Sequence, residues 1–243
     1  MSKRESGFTL VEMAVAVFVI ALLLGSILVP LTTQVEQRQI SDTQKILHEI
    51  NEAIIGFALT NGYLPCPDKT SGGTAPPNDV PNDGNEDFSA GGTCIVPEGN
   101  VPWVTLGVAN ADVWGNRIRY RVDTDFAQRS PATAFNLTTA ANLRICTTTA
   151  CTTLLTSSAS GNGAVAVILS HGKNGLGAIN SFTNSANPAP TSADELQNTD
   201  VDATFVSRVM TPVGSIAGEF DDIVLWLSKY TLFIRMVAAG KLP

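Results

Sequence analysis

The four cysteines are the side chains whose chemistry follows most directly from the sequence. Cys66 and Cys94, and Cys146 and Cys151, form two pairs of near neighbours, and none has the C-x-x-C spacing of redox or zinc motifs. An even number of such cysteines is typical of a disulfide-bonded protein from an oxidising compartment. We expect bridges from Cys66 to Cys94 and from Cys146 to Cys151, although four cysteines allow other connectivities.

The two histidines favour neither a zinc site nor a catalytic site. His48 and His171 lie far apart in the sequence, and no cysteine or second histidine is spaced to share a metal with either one. Ser170 precedes His171, but a nucleophile elbow requires G-x-S-x-G, and Ile168 replaces the first glycine. We therefore expect no enzymatic activity and no catalytic residue.

The loop-like segment of residues 65–102 carries an acidic cluster, D-V-P-N-D-G-N-E-D, between residues 79 and 87. Carboxylate and amide oxygens around a glycine can bind Ca²⁺, but this cluster lacks the spacing of an EF-hand. Both a cation site and a solvated acidic loop remain open for it.

The overall charge argues against nucleic-acid binding. The 243 residues carry a formal net charge of −7, with a sequence pI of about 4.8, whereas nucleic-acid binding requires a basic face. Charged residues make up only 15% of the chain and hydrophobic residues 44%, and the apolar excess is concentrated at the N-terminus.

The N-terminal apolar segment contains one charged residue, Glu12, between Phe8 and Leu31. As a helix this segment would be about 36 Å long, enough for a bilayer core of about 30 Å. It is longer than the apolar region of a cleaved signal peptide, and no A-x-A site follows it. A plain anchor leaves Glu12 unexplained, because a carboxylate inside the apolar core costs about 2.5–3.5 kcal/mol on insertion scales.

The stretch KRESGFTLVEMAVAVFVIALLLGSILVP resembles the N-terminal signal of type IV pilins and type II secretion pseudopilins. The match is G-F-T-L-x-E at Gly7 to Glu12, directly before the apolar segment. The resemblance implies that a prepilin peptidase cuts between Gly7 and Phe8 on the cytoplasmic side of the membrane and methylates the new N-terminus.

The resemblance also implies a role for Glu12. In a filament of such subunits the apolar helices bundle, and the Glu12 carboxylate faces the new α-amino group of Phe8 on a neighbour, which fixes the axial register. The partners implied are the prepilin peptidase, the inner-membrane assembly platform and other pilins or pseudopilins. The other interpretation of Glu12 is an interfacial carboxylate that contacts lipid headgroups.

The helix is expected to continue from Phe8 to about Thr60, because its apolar residues keep a spacing of three and four up to the stop at Asn61-Gly62. We therefore divide the chain into a leader (1–7), a transmembrane and filament-core helix (8–31), an amphipathic continuation (32–62) and a head domain (63–243). Lys3 and Arg4 place the N-terminus in the cytoplasm and the head in the periplasm before assembly. After assembly the head belongs to a periplasmic or extracellular filament.

The head is predicted to be an α+β domain, with a small antiparallel sheet packed on the long helix and long disulfide-stapled loops. Residues 117–122 alternate arginine with apolar side chains, which indicates a strand whose basic face binds an acidic partner or is simply solvated. The D-x-W-G-N-x-x-x-Y element from Asp112 to Tyr120 resembles one in major pseudopilins. Residues 143–155 are expected to form a short hairpin.

A late acidic region is the remaining candidate site, because the resemblance implies a calcium-binding loop there. This chain does not have the family's ligand spacing in full, and we expect no other cofactor. The candidate ligands are Asp194, Glu195, Asp200, Asp221 and Asp222.

These features together predict a structural subunit, most simply a minor one, of a type IV pilus or a type II secretion pseudopilus. The alternative is a membrane-anchored periplasmic binding or adhesion module that does not polymerise. Replacing Glu12 with alanine separates the two, because only a filament subunit should lose assembly.

Overall fold

The computed structural model describes residues 7–73, 79–129 and 134–242, without the side chains of residues 24–32. Within it the chain divides into two compact units, one ending at Asp42 and the other beginning at Thr43. The predicted α+β class is confirmed, with an N-terminal helix, an antiparallel sheet and two disulfides.

Helix α1 spans Leu10–Asn61. It begins two residues later than expected, because Thr9 caps its first turn instead of joining it. It ends at Gly62, whose φ of 86° suits glycine and whose N–H donates to the Ala58 carbonyl at 2.8 Å.

The part of α1 that belongs to the second unit has one buried face. Leu47, Ile50, Ile54 and Ala58 are at most 1% exposed, and they repeat at intervals of three and four residues as predicted. This face anchors the end of the helix in the core of the head.

A four-stranded antiparallel sheet forms the centre of the head, in the order β1-β2-β4-β6. Its strands are β1 (Glu98–Asn100), β2 (Arg119–Val122), β4 (Ala164–Ser170) and β6 (Ile223–Ser228). All seven residues of β4 are buried, as expected for its continuous apolar run between two neighbours.

A second sheet pairs β3 (Arg144–Cys146) with β5 (Thr204–Val206) in parallel. This pairing of β3 with a strand some 60 residues away was not predicted from the sequence. The predicted short hairpin at residues 143–155 is also present, as an antiparallel bridge from Cys146 to Leu154. Leu155 N–H donates to the Ile145 carbonyl at 2.7 Å, and Thr147 N–H donates to the Thr153 carbonyl at 3.0 Å.

The described residues of the head also form four short helical segments. They are α2 (Trp103–Leu106), a 3₁₀ turn (Thr124–Phe126), α3 (Ala193–Gln197) and α4 (Lys229–Ala238). Ser228 caps α4, because its hydroxyl accepts the Thr231 N–H at 3.1 Å.

The disulfides join Cys66 to Cys94 and Cys146 to Cys151, the pairing expected from the sequence, with Cα–Cα distances of 5.2 and 5.0 Å. The first closes the long loop before β1 over a separation of 28 residues.

Candidate functional site

The start of α1 is a reciprocal capping box built by Thr9 and Glu12. The Thr9 hydroxyl accepts the Glu12 N–H at 3.3 Å, and Glu12 Oε2 accepts both the N–H and the hydroxyl of Thr9 at 2.8 Å. This arrangement pairs two groups that a helix start otherwise leaves without partners. In the single chain the Glu12 carboxylate is therefore already engaged, within its own first turn.

The residues on either side of the expected cleavage bond are open to solvent. Gly7 is exposed, and Phe8 is 81% exposed. Nothing lies within 4 Å of the position a Gly7 side chain would occupy. The Gly7–Phe8 bond is thus accessible beside the capped helix start, whereas leader residues 1–6 lie outside the described residues.

Comparison with protein families finds that residues 2–28 match the prokaryotic N-terminal methylation motif. The chain carries the N-terminal signal of type IV pilins and pseudopilins. The prepilin-type signal implies a substrate of a prepilin peptidase, insertion into a membrane before processing, and assembly with other pilins. Comparisons with curated proteins and with solved structures found no match.

The apolar side chains at the start of α1, within the matched signal, are exposed in the single chain. Leu10, Phe18 and Ile20 are 88%, 64% and 55% exposed. Over the described residues, no helix is long and apolar enough to cross a membrane. The predicted span of residues 8–31 includes 24–31, whose side chains lie outside the described residues.

A second candidate site lies in the head, where Glu195, Asp221 and Asp222 come together. One carboxylate oxygen from each lies within 4.8 Å of the others. Glu195 comes from α3, and the two aspartates directly precede β6. The site is formed by the fold, since 26 residues separate Glu195 from Asp221.

Backbone and amide donors hold these carboxylates in place. Asp221 N–H donates to Glu195 Oε1 at 3.0 Å, and Asn174 N–H donates to Asp221 Oδ2 at 2.8 Å. Asn198 Nδ2 donates to Asp222 Oδ2 at 2.8 Å. Among the residues that the structure describes, Asp221 Oδ1 is buried and has no hydrogen-bond partner.

The chain approaches this cluster closely at Gly172. Its φ is +60°, and a side-chain carbon there would lie 2.3 Å from the Asp221 carbonyl oxygen and 2.6 Å from Asp221 Oδ1. Only glycine fits this position without strain.

The cluster is electrostatically unfavourable when all three groups are ionised. Burial, with added repulsion from Asp222 and Asp221, raises the pKa of Glu195 to about 7. Burial and the charge of Asp222 raise the pKa of Asp221 to about 6. A bound divalent cation would compensate these charges, and carboxylate oxygens are the ligands that Ca²⁺ prefers. The residues present therefore fit such an ion.

The other two candidate ligands lie outside this group of three. Asp194 accepts from Thr149 N–H at 2.9 Å and from Arg208 Nε at 2.7 Å. Burial alone would raise the pKa of Asp194, but these bonds lower it below its ordinary value. Asp200 accepts from Gln197 Nε2 at 2.8 Å on the surface.

Arg119 and Arg121 of β2 contact an acidic residue of the head itself. Their side chains are therefore neither free to bind an external acidic partner nor simply solvated, the two interpretations expected from the sequence. Glu98 of β1 accepts from Arg119 Nε in a short contact and from Arg121 Nη1 at 3.3 Å. Burial raises the pKa of Glu98, and the two arginines oppose that rise. Sequence analysis missed Glu98, because nothing local shows that it pairs across β1 and β2.

His171 is another residue whose environment the sequence did not indicate. It lies directly before a turn and is fully buried, and its Nδ1 lies 3.4 Å from Asp222 Oδ1. It therefore borders the carboxylate cluster on one side. By contrast, the Thr9–Glu12 cap had a readable signal, the T-x-x-E pattern before an apolar run.

Proposed function

We propose that this protein is a pilin-like structural subunit, and a minor one, of a type IV pilus or a type II secretion pseudopilus. The observation that carries the proposal is the methylation motif at residues 2–28, with its glutamate in the first turn of a 52-residue helix. The long loops of the head favour a specialised subunit over the bulk subunit of a filament.

Processing creates the group that Glu12 needs as a partner. Cleavage between Gly7 and Phe8 gives Phe8 an α-amino group, which is protonated at neutral pH because its reference pKa is near 8. The new amine lies beside the capping box, four residues before Glu12. The same segment thus carries one positive and one negative charge after processing.

Assembly then buries what the single chain exposes. The apolar side chains of the first turns, such as Leu10 and Phe18, are covered by the helices of neighbouring subunits. In that apolar environment an unpaired Glu12 or an unpaired Phe8 amine is costly, whereas the pair is tolerated. Charge pairing between neighbours therefore selects one axial register.

The head remains outside the helical bundle, held by the buried face of α1 that includes Leu47 and Ile54. Before assembly the subunit crosses the inner membrane once, with its N-terminus in the cytoplasm and its head in the periplasm. The inner-membrane platform then adds it to a periplasmic or extracellular filament.

The first test is the N-terminus of the mature protein, extracted from membranes of a host with a prepilin peptidase and measured by mass spectrometry. A chain that starts at Phe8 and carries one extra methyl group supports the proposal. A chain that starts at Met1 contradicts processing, and a start beyond residue 25 indicates secretion.

The alternative is an anchored binding or adhesion module that does not polymerise. Such a module would keep its function in a Glu12→Ala variant, whereas a filament subunit would stay in the membrane and disappear from sheared filaments. The tight cap around Glu12 favours neither outcome, so this assay is needed to distinguish them.

We propose as a second function that Glu195, Asp221 and Asp222 bind a divalent cation such as Ca²⁺. The unpartnered Asp221 Oδ1 and the raised pKa values of Glu195 and Asp221 support it. The ion would tie α3 to the start of β6 and so fix the late loop of the head.

Thermal unfolding of the full chain in detergent, with Ca²⁺ or with a chelator, tests the cation site. At a hundredfold excess over the dissociation constant, binding adds about 2.7 kcal/mol to the free energy of unfolding. An Asp222→Asn variant should lose this Ca²⁺-dependent gain, and Asp200→Asn, outside the cluster, should keep it. Equal unfolding temperatures with Ca²⁺ and chelator would refute the site.

A further inference from the structure

The connection from β5 to β6 displays three aliphatic side chains to solvent. Val209 and Val213 are 84% and 79% exposed, and Ile216 is fully exposed. We call residues 209–219 the apolar loop, and Glu219 is its one charged residue in the sequence. A single exposed aliphatic side chain is ordinary at a protein surface, whereas a group of them in one short loop indicates an interaction site.

Hydrogen bonds hold the apolar loop in a fixed shape. Thr211 N–H donates to the Phe220 carbonyl at 2.8 Å, and Phe220 N–H donates to the Thr211 carbonyl at 3.0 Å. Arg208 ties the loop to the head, because its Nη2 donates to the Ala217 carbonyl at 3.0 Å and its Nε to Asp194 Oδ2 at 2.7 Å. The loop is therefore ordered in a shape that leaves its aliphatic side chains uncovered.

Helix α4 has an uncovered apolar surface of its own. Tyr230, Ile234 and Val237 are 55%, 69% and 46% exposed, and their spacing of four and three residues places them in one stripe along the helix. We call these three residues the α4 stripe. A surface helix normally presents polar side chains away from the core, but α4 is apolar here as well as at buried Leu232 and Met236.

The apolar loop and the α4 stripe lie at opposite ends of β6. The loop ends at Glu219, shortly before β6 begins at Ile223, and α4 begins directly after Ser228. A strand of six residues is about 20 Å long. Both surfaces are exposed, so within one head the loop does not cover the stripe.

The charges favour contact between the loop of one chain and α4 of another. Residues 229–243 contain basic side chains and no acidic one, and exposed Lys241 follows Val237 by four residues, in line with the α4 stripe. Two loops in contact would bring two copies of Glu219 together, and two α4 helices would bring basic groups together. Contact of the loop with α4 instead brings opposite charges together.

We infer that the apolar loop of one copy docks on the α4 stripe of a second copy, where Val213 and Ile216 pack against Ile234. Glu219 then faces Lys241 of the second copy. Because the two surfaces differ, each pair of heads leaves one loop and one stripe uncovered, and the contact continues along a row of heads. This contact between heads goes beyond the helix bundling proposed above and does not depend on cleavage or on Glu12.

Disulfide cross-linking of the full chain in detergent micelles tests this contact. The four native cysteines form two disulfides, so introduced cysteines supply the only thiols. Two double variants combine Ile234→Cys with either Val213→Cys or Ile216→Cys, and copper phenanthroline is the oxidant. We expect a ladder of dimers, trimers and larger products on a non-reducing gel, whereas each single variant should stay monomeric.

The control places the loop cysteine at Phe182, which is 86% exposed between β4 and α3. Phe182→Cys with Ile234→Cys should give about tenfold less product, because random collisions rarely bring two Cα atoms within the roughly 7 Å that a disulfide requires. The substituted side chains are all exposed, so the variants should fold like the parent chain.

Several results would overturn the inference. Dimers from Ile216→Cys alone would indicate contact between two loops, and dimers from Ile234→Cys alone would indicate contact between two α4 helices. Monomers from both double variants, or as much product from the Phe182→Cys control, would show that the two surfaces do not bind each other.

Discussion

The capping box makes it possible to separate two roles of Glu12 that other variants would confuse. Thr9→Ala removes the cap and keeps the carboxylate, and Glu12→Gln keeps an acceptor for the cap and removes the charge. Glu12→Ala removes both. Thr9→Ser is the matched control, because its hydroxyl can still accept the Glu12 N–H.

The expected magnitudes differ between the two roles. Loss of an N-cap side chain costs about 1 kcal/mol, so the Glu12 amide of Thr9→Ala should exchange about fivefold faster than in the parent chain. Loss of one partner of a buried ion pair costs about 3–5 kcal/mol. The Glu12→Gln subunit should therefore be incorporated into filaments more than a hundredfold less well.

The assays are amide exchange of the precursor by NMR in micelles and recovery of subunit from sheared filaments in a host with the assembly system. We expect Thr9→Ala and Thr9→Ser to assemble at close to parental levels, and Glu12→Gln and Glu12→Ala to fail. Normal assembly of Glu12→Gln together with failure of Thr9→Ala would refute the reasoning, because Glu12 would then act through the cap and not through its charge.

Two further predictions concern the stability of the head. Burial raises the pKa of Asp68 from 3.8 to about 7, so ionisation should reduce the stability of the folded state as pH rises from about 4 to 7. In urea unfolding at pH 8, the Asp68→Asn variant should have a free energy of unfolding about 2 kcal/mol higher than the parent chain. This value already subtracts about 1–3 kcal/mol for the buried amide that is left unpaired. At pH 4 the variant should gain nothing, and an equal gain at both pH values would contradict this. Removing the Cys66–Cys94 bridge, which spans 28 residues, should cost about 3.5 kcal/mol, against about 2 kcal/mol for the Cys146–Cys151 bridge, which spans 5. The same urea experiment on the two double serine variants checks this order, and a reversed order would show that the long loop is already ordered in the unfolded chain.

Features that depend on neighbours in the sequence were predicted well. The long helix followed from the three-and-four spacing of Leu47, Ile50 and Ile54, and its end followed from Gly62. The cap of α1 follows from the T-x-x-E pattern at Thr9 and Glu12. Each of these features needs only a few consecutive residues.

The grouping of the candidate ligands could not be predicted from the sequence. Glu195, Asp221 and Asp222 were among five candidate ligands, but the sequence did not separate them from Asp194 and Asp200. Asp194 belongs to an ion pair with Arg208, and that pairing depends on where the loop after β5 lies. The types of these residues indicated the chemistry, whereas their grouping required the fold.

The sequence by itself determined the processing signal, the helix that follows it and the acidic, disulfide-bonded character of the head. Those properties are local, because they are set by residue order, by helical periodicity and by the number of cysteines. Only the tertiary structure decided that β3 pairs with β5, that Glu98 neutralises Arg119, and that Glu195 lies beside Asp221 and Asp222. These contacts join residues about 20 to 60 positions apart, and they form because loop closure and core packing bring distant segments together, which no local pattern encodes.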